Sequence, residues 1–436
     1  MTTTDAPATV LPRPYLVWLS GVTVGRLGDA VLAFALGWAA AGHGGTTAAL
    51  ALTLNGLPRL VLLVLGGAVA DRFGARRVLI GGETALLAMT AALALVLSRS
   101  GSPIVLLLAA SLALGTVSAF CLPAAGSMPR RLVPDEQLSR ALALRQSSGQ
   151  LVLILAAPLG GVLVGTVGLP GIAWGDVVGL GALLAVLVVV REVPGPEPRG
   201  DDDPATRLRG LDLADGLRVV ARTPGLPGAL ALTGAGAALM LPVPSLLVPL
   251  AGRAAGWGPG WTGAAAGAVG AGVIVAALVT TRRRSATSRP GPGSGAAGLL
   301  VSAAGTGALA AGQLLGGAAA AMVAVLGALT FGLGSGAFVA RLAPRVLGSA
   351  PRTHLARVQA LVGLAQLVPV LVTNTVLGAV AERTHPGWAL GVTAAGLVAT
   401  AAGARRWSTG TTRTSESVGR AAGPGATVPS GERGAA

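Results

Sequence analysis

The chain has 436 residues, of which 52% are hydrophobic and only 11% charged, with 67 glycines and a mean hydropathy of +0.72. Ordinary soluble domains carry about 25% charged residues, so this chain cannot cover itself with polar surface; apolar runs recur along it, and it is an integral membrane protein rather than a soluble enzyme on an anchor. One cysteine, Cys121, excludes an intrachain disulfide, and three scattered histidines (His43, His354, His385) make no zinc set. No metal, no cofactor and no enzyme activity are expected. All 32 basic residues are arginine, which excludes lysine chemistry. The net charge of +15 points either to nucleic acid or to a topology signal facing anionic lipid.

The apolar runs predict an all-α membrane protein of twelve helices, at about 15–40, 47–70, 78–98, 103–125, 140–164, 172–190, 225–250, 261–281, 293–313, 315–340, 356–381 and 388–404. The first is too long for a cleaved signal sequence, although Ala39-Ala40-Ala41 looks like a cleavage site. Trp18 and Trp38, twenty residues apart on it, read as an aromatic belt at both interfaces. The expected organisation is an N-terminal tail (1–14), a six-helix bundle (15–190), a linker (191–224), a second six-helix bundle (225–404) and a disordered tail (405–436). Within the linker, Leu211 to Val220 alternates apolar and charged residues and is expected to lie on the membrane surface.

The arginines decide between the two readings of the charge. With the N-terminus in the cytoplasm, 27 of them fall in inner segments and three (Arg99, Arg253, Arg383) in outer joints; Arg26 and Arg59 lie inside helices. That split places both termini in the cytoplasm, requires an even number of spans and removes nucleic acid as a partner. The two halves also repeat. Leu138-Ser139-Arg140-Ala141 before helix 5 matches Leu355-Ala356-Arg357-Val358 before helix 11, and Pro129-Arg130 matches Pro344-Arg345. Parallel repeats with a site between them are a transporter architecture.

The joint after helix 2 reads Gly67-Ala68-Val69-Ala70-Asp71-Arg72-Phe73-Gly74-Ala75-Arg76-Arg77. Asp71 lies at the negative end of the helix dipole and needs a partner: Arg72, Arg76 or the N-terminus of another helix. Gly67 permits close helix approach and Gly74 a turn with positive φ. The segment resembles the helix 2–3 signature of the major facilitator superfamily (MFS), with Ala75 where that family has a basic residue. In the family this cluster ties the two halves together in one access state and releases them in the other. Arg26-Leu27-Gly28-Asp29, Leu57-Pro58-Arg59 and Pro129-Arg130-Arg131-Leu132-Val133-Pro134 resemble the bacterial branch of enterobactin and macrolide exporters. Pro158-Leu159-Gly160-Gly161 is similar to the helix 5 motif of antiporter-type members, one residue short. The resemblance implies the MFS fold in a bacterial inner membrane and a monomeric antiporter. Such a protein would use H⁺ to drive efflux of a small amphipathic drug or secondary metabolite, as in multidrug resistance.

A charge at mid-bilayer costs about 2.5–3.5 kcal/mol on the insertion scale, so the few such charges are the candidate coupling groups. Asp29 is the first candidate proton carrier and Glu83 the second. Arg26, one helical turn from Asp29, either holds it ionised or forms a purely structural pair with it. Arg59 either binds an anionic group or pairs with Asp29. Glu83 either serves the site or reaches back to Arg76 and Arg77, and Asp176 is read as an outer-surface acid complementing the dipole of helix 6. The second half has no Asp or Glu between Asp215 and Glu382. Its polar candidates for the cavity are Gln313, Gln366 and Asn374, alongside Asn55 of the first half, each either ligand or interhelical glue. Pro242, Pro244 and Pro249 should break or kink helix 7 as an outer gate. The alternatives are an importer or uniporter on the same fold, or a non-transporting membrane scaffold or sensor.

Overall fold

The computed structural model describes residues 11–190, 218, 220–223, 225–284, 294–349 and 355–421. The linker segment expected on the membrane surface lies largely outside them. Twelve long helices follow one another: α1 (Arg13–Ala41), α2 (Gly45–Phe73), α3 (Ala75–Ser100), α4 (Ile104–Ser127), α5 (Asp135–Thr166), α6 (Gly168–Val189), α7 (Leu226–Ala254), α8 (Gly258–Arg284), α9 (Ser294–Gly312), α10 (Gly317–Ser349), α11 (Leu355–Arg383) and α12 (Pro386–Ala421). Among the described residues eleven of these are long and apolar enough to cross a membrane; α2, the remaining long helix, has 29 residues. About 20 residues span the hydrocarbon core at 1.5 Å each. Large side chains such as Val105, Val178 and Val189 remain exposed on the outside of the bundle, where lipid replaces water.

Several helices begin or end differently from the expectation. Helix α5 starts at Asp135 rather than near 140, because Pro134 precedes it and Asp135 and Glu136 complement the dipole in its first turn. Helix α6 starts at Gly168 rather than 172: Pro170 falls in the first turn, where its missing N–H costs nothing. Helix α7 is interrupted by a π-turn at Val243–Leu247, next to Pro242 and including Pro244, so the proline-rich break is realised as a widened turn in a continuing helix. Helix α12 runs on to Ala421, past the Gly/Ser/Thr-rich change of composition, since extending an existing helix is far easier than starting one.

The two halves pack by the same plan. In the first half α1 packs on α5 and α6, α4 on α2 and α3, and α3 on α6; in the second α7 packs on α11 and α12, α10 on α8 and α9, and α9 on α12. The contacts between halves are related in the same way: α2 against α11, and α5 against α8. The duplication suggested by the arginine motifs is therefore present in the packing.

The end of the bundle holding Arg13 and the start of α3 is called the near end here, and the opposite end the far end. At the far end the halves are joined tightly. Gly45 and Gly378 bring α2 and α11 into backbone contact, and Gly161 and Gly263 do so for α5 and α8; a Cβ at any of these positions would strike the facing helix. Small residues permit this approach where no hydrophobic effect between helices is available. One buried core includes far-end residues of both halves, such as Leu36, Ala49, Leu246 and Leu377. The near end of the first half keeps a separate core around Tyr15, Trp18, Met128 and Leu187.

Candidate functional site

A cavity of about 450 Å³ opens within the first half, lined by α1, α2, α3, α4 and α6. Most of its wall is Leu, Val and Ala. Four charged side chains from three helices reach it: Arg26 and Asp29 of α1, Arg59 of α2 and Glu83 of α3. The four charges expected from sequence are thus brought to one space. Asp29 feels both Arg26 and Arg59 electrostatically, yet among the described residues no direct ion pair joins Arg26 to Asp29. Arg59 Nε and Glu83 Oε2 are buried with no hydrogen-bond partner. Glu83 is only 9% exposed, so it turns inward rather than back toward the near surface. Buried charged groups without partners are costly, and here they leave bonding capacity facing a cavity.

Local sequence explains these placements. Arg26 and Asp29 are three residues apart and share a face of α1. Pro58, inside α2, releases one backbone bond in the turn before Arg59. Asn55 lines the cavity and also donates from Nδ2 to the Ser111 carbonyl of α4 at 3.3 Å, so it joins two helices at the cavity wall. The three polar candidates of the second half are elsewhere. Gln313 lies at the far end beside Gly387, Gln366 is half-buried on α11, and Asn374 is buried there with Oδ1 unpartnered. None of them lines this cavity.

The aromatic belt is not realised. Trp18 is fully buried, lines the cavity and packs on Tyr15 with the rings tilted at 39° and their centroids 5.7 Å apart. The Tyr15 hydroxyl donates to the Ala141 carbonyl at 2.5 Å, tying α1 to α5 at the near end. Trp38 is 6% exposed and lies under Arg253 of α7, whose guanidinium carbon is 4.0 Å from the ring centroid. Arg253 Nε and Nη2 also donate to the Trp38 carbonyl at 3.2 and 3.0 Å. Beside this contact, Glu382 at the end of α11 accepts from the Thr46 backbone N–H at 2.6 Å and from its hydroxyl, at the start of α2. These two polar contacts cross between halves at the far end.

The motif between α2 and α3 is seen in part. Gly74 has φ +85° in the turn, as the expectation required. Arg72 lies over the Phe73 ring at 5.5 Å and Arg77 is exposed. Arg76 donates to the carbonyls of Leu187 and Val188, filling open acceptors at the end of α6. The side chains of Asp71 and Arg357, and the surroundings of Gly67, lie outside the described residues. In the helix 5 motif, Pro158 lies against Gly267 and Gly161 against Gly263 on the α5–α8 seam, while Gly160 lies against Phe34 of α1.

Two residues of this region were not legible as site residues. Cys121, the single cysteine, lines the cavity against Gly82. Asp176 is not an outer-surface cap. It is the ninth residue of α6, 1% exposed, with neither oxygen hydrogen-bonded. The available signal was Pro170, which allows the helix to begin early enough to carry Asp176 inside.

Two repeated six-helix halves, joined along paired glycine seams and containing a charged cavity, make the frame of a membrane transporter. The chain belongs to the Major Facilitator Superfamily, whose family model matches residues 18–373. No curated protein matches the sequence. Among solved structures, the chain is similar to a bacterial homologue of the iron transporter ferroportin in an inward-facing state, with TM-score 0.70 and 16% identity over 91% of this chain and 98% of that one. It is similar to the nucleoside transporter NupG, with TM-score 0.69 and 13% identity over 90% and 98%. A POT family transporter in complex with a thioalcohol-conjugated peptide gives TM-score 0.67 and 13% identity over 89% and 95%. At these identities the likeness is one of fold.

Proposed function

We propose that the protein is a proton-coupled exporter of a small amphipathic organic compound, working by alternating access. The observation that carries this reading is the cavity: mostly apolar walls holding two carboxyls and two guanidiniums that are not spent on one another. Apolar walls suit a drug-like or secondary-metabolite skeleton better than a sugar or a phosphate, which would demand more polar lining. The acids supply sites for H⁺ and for a cationic substrate group, and the arginines supply sites for an anionic one. Asp29 is the proton carrier of this scheme, because it lines the cavity and feels both arginines. The far end is then the outer side of a bacterial inner membrane, with both termini in the cytoplasm. Asp71, Arg72, Arg76 and Arg77 hold the cytoplasmic end during the opposite half of the cycle.

The test uses everted vesicles with an imposed pH gradient. The substrate is first named by comparing metabolites of deletion and wild-type cells. Wild-type protein should move that compound uphill at the expense of ΔpH, and Asp29→Asn should bind it but lose the coupling. Undiminished ΔpH-driven uphill transport by Asp29→Asn would sink the proton-carrier role. If collapsing the gradient lowers the compound's level in cells instead of raising it, the protein is an importer.

A further inference from the structure

Among the described residues, Asp176 is the buried acid that the cavity does not explain. Its side chain is sealed between α6 and α1: 1% of the residue is exposed, neither carboxyl oxygen has a hydrogen-bond partner, and it is not part of the cavity wall. What admits it is Gly28. A Cβ on Gly28 would overlap Asp176 Oδ1 and lie 3.6 Å from the Asp176 Cα, so only glycine leaves room for the carboxyl against α1. Gly28 is followed directly by Asp29. Successive helical residues are about 100° apart around the axis, so one turn of α1 presents Asp29 to the cavity on one side and a niche for Asp176 on another.

Among the described residues no donor or cation bonds either oxygen of Asp176. The charges that bear on Asp176 are Asp29 of α1 and Glu83 of α3. Arg26 and Arg59 line the same cavity as those two acids and give neither Asp176 oxygen a hydrogen bond, Arg145 of α5 lies over the Trp18 ring at 6.0 Å, and Arg76 is committed to the carbonyls at the end of α6. Among the described residues no group of His, Cys, Asp and Glu could hold a metal ion. A carboxyl in apolar surroundings, with like charges near it and no donor to either oxygen, is left with one neutralising partner, the proton.

We propose that Asp176 is a proton-binding site of this transporter, sealed from the substrate cavity by the Gly28–Asp29 turn of α1. This deepens the proton-coupled reading and rests on it for its role in transport. It adds a second place for H⁺, beside the cavity in which Asp29 carries the first. Coupling follows from sign. Binding of a cationic group between Asp29 and Glu83 and loss of the Asp176 proton favour one another, so the two events are coupled across α1.

The test reads the proton directly. The full-length protein, purified into lipid, is examined by infrared spectroscopy at neutral pH in H₂O and D₂O for the C=O stretch of a protonated carboxyl. The wild type should show the band, and carbon-13 labelling of aspartate should move it, which separates Asp176 from Glu83 without any variant. Asp176→Asn should lose the band, Asp29→Asn should retain it, and Asp176→Glu should return it at a changed frequency. A wild-type spectrum without the band, or a band that ignores labelled aspartate, overturns the proposal. A band that vanishes in Asp29→Asn and persists in Asp176→Asn also overturns it, while leaving proton coupling through Asp29 standing. Failure of ΔpH-driven transport with the Asp176 band intact would instead overturn the coupled-export reading.

Discussion

Gly378→Ala offers a direct measure of the seam between the halves. Its added Cβ would lie 2.6 Å from the Gly45 carbonyl oxygen and 2.5 Å from the Ala49 Cβ, where the neighbours are the backbone and first side-chain carbon of a helix. Ordinary carbon contacts need about 3.5 Å, so α2 and α11 must part by roughly 1 Å at the far end. Overpacking of this kind costs about 1–3 kcal/mol. The cost falls only on the state in which the far end is closed, because the two helices separate when it opens. The gain in helix propensity from glycine to alanine is common to both states and cancels. The population open at the far end should therefore rise by roughly 5- to 150-fold. Cys121 reports it, being the single cysteine and lining the cavity. A membrane-impermeant maleimide applied from the far side of sealed vesicles should alkylate Cys121 faster in Gly378→Ala by that factor. An unchanged rate, with the variant as well folded as the wild type, would refute the idea that this glycine seam closes the cavity.

The same assay tests the polar contacts beside the seam. Arg253→Ala removes two hydrogen bonds to the Trp38 carbonyl and a cation over its ring. Because Arg253 is exposed, the net loss is about 1 kcal/mol, and alkylation of Cys121 should quicken roughly five-fold. Glu382→Gln should act in the same direction, more weakly, since its bonds to Thr46 are open to solvent. At the near end, Arg76→Ala should leave the Leu187 and Val188 carbonyls without this partner and lower stability by about 1 kcal/mol, read as a lower melting temperature in detergent. A melting point equal to the wild type would show that Arg76 does not support α6.

Much of the fold was legible because membrane physics leaves few choices. An apolar segment of about 20 residues must be a spanning helix, since every backbone group has to be satisfied within it. The duplication was visible in Leu138-Ser139-Arg140-Ala141 and Leu355-Ala356-Arg357-Val358, and the packing of the two halves repeats it. The charged quartet was legible for a related reason. In a chain with few charges, Arg26, Asp29, Arg59 and Glu83 stand out inside apolar runs, and helical spacing puts the first two on one face.

What the sequence determined by itself is therefore the membrane, the helices, the repeat and the charges that meet in the cavity. The tertiary structure decided which of those helices touch and what lies between them. Trp18 and Trp38 have the spacing of interface anchors, but neighbouring helices cover both, so one became cavity wall and the other the seat of Arg253. Gln313, Gln366 and Asn374 have the chemistry of ligands, yet none lines the cavity. Asp176 became buried through a helix start four residues earlier than the pattern indicated and a glycine on another helix. Hydropathy and charge are properties of single residues and local periods, so sequence carries them. Burial and contact are properties of pairs of helices, and only the folded bundle assigns those pairs.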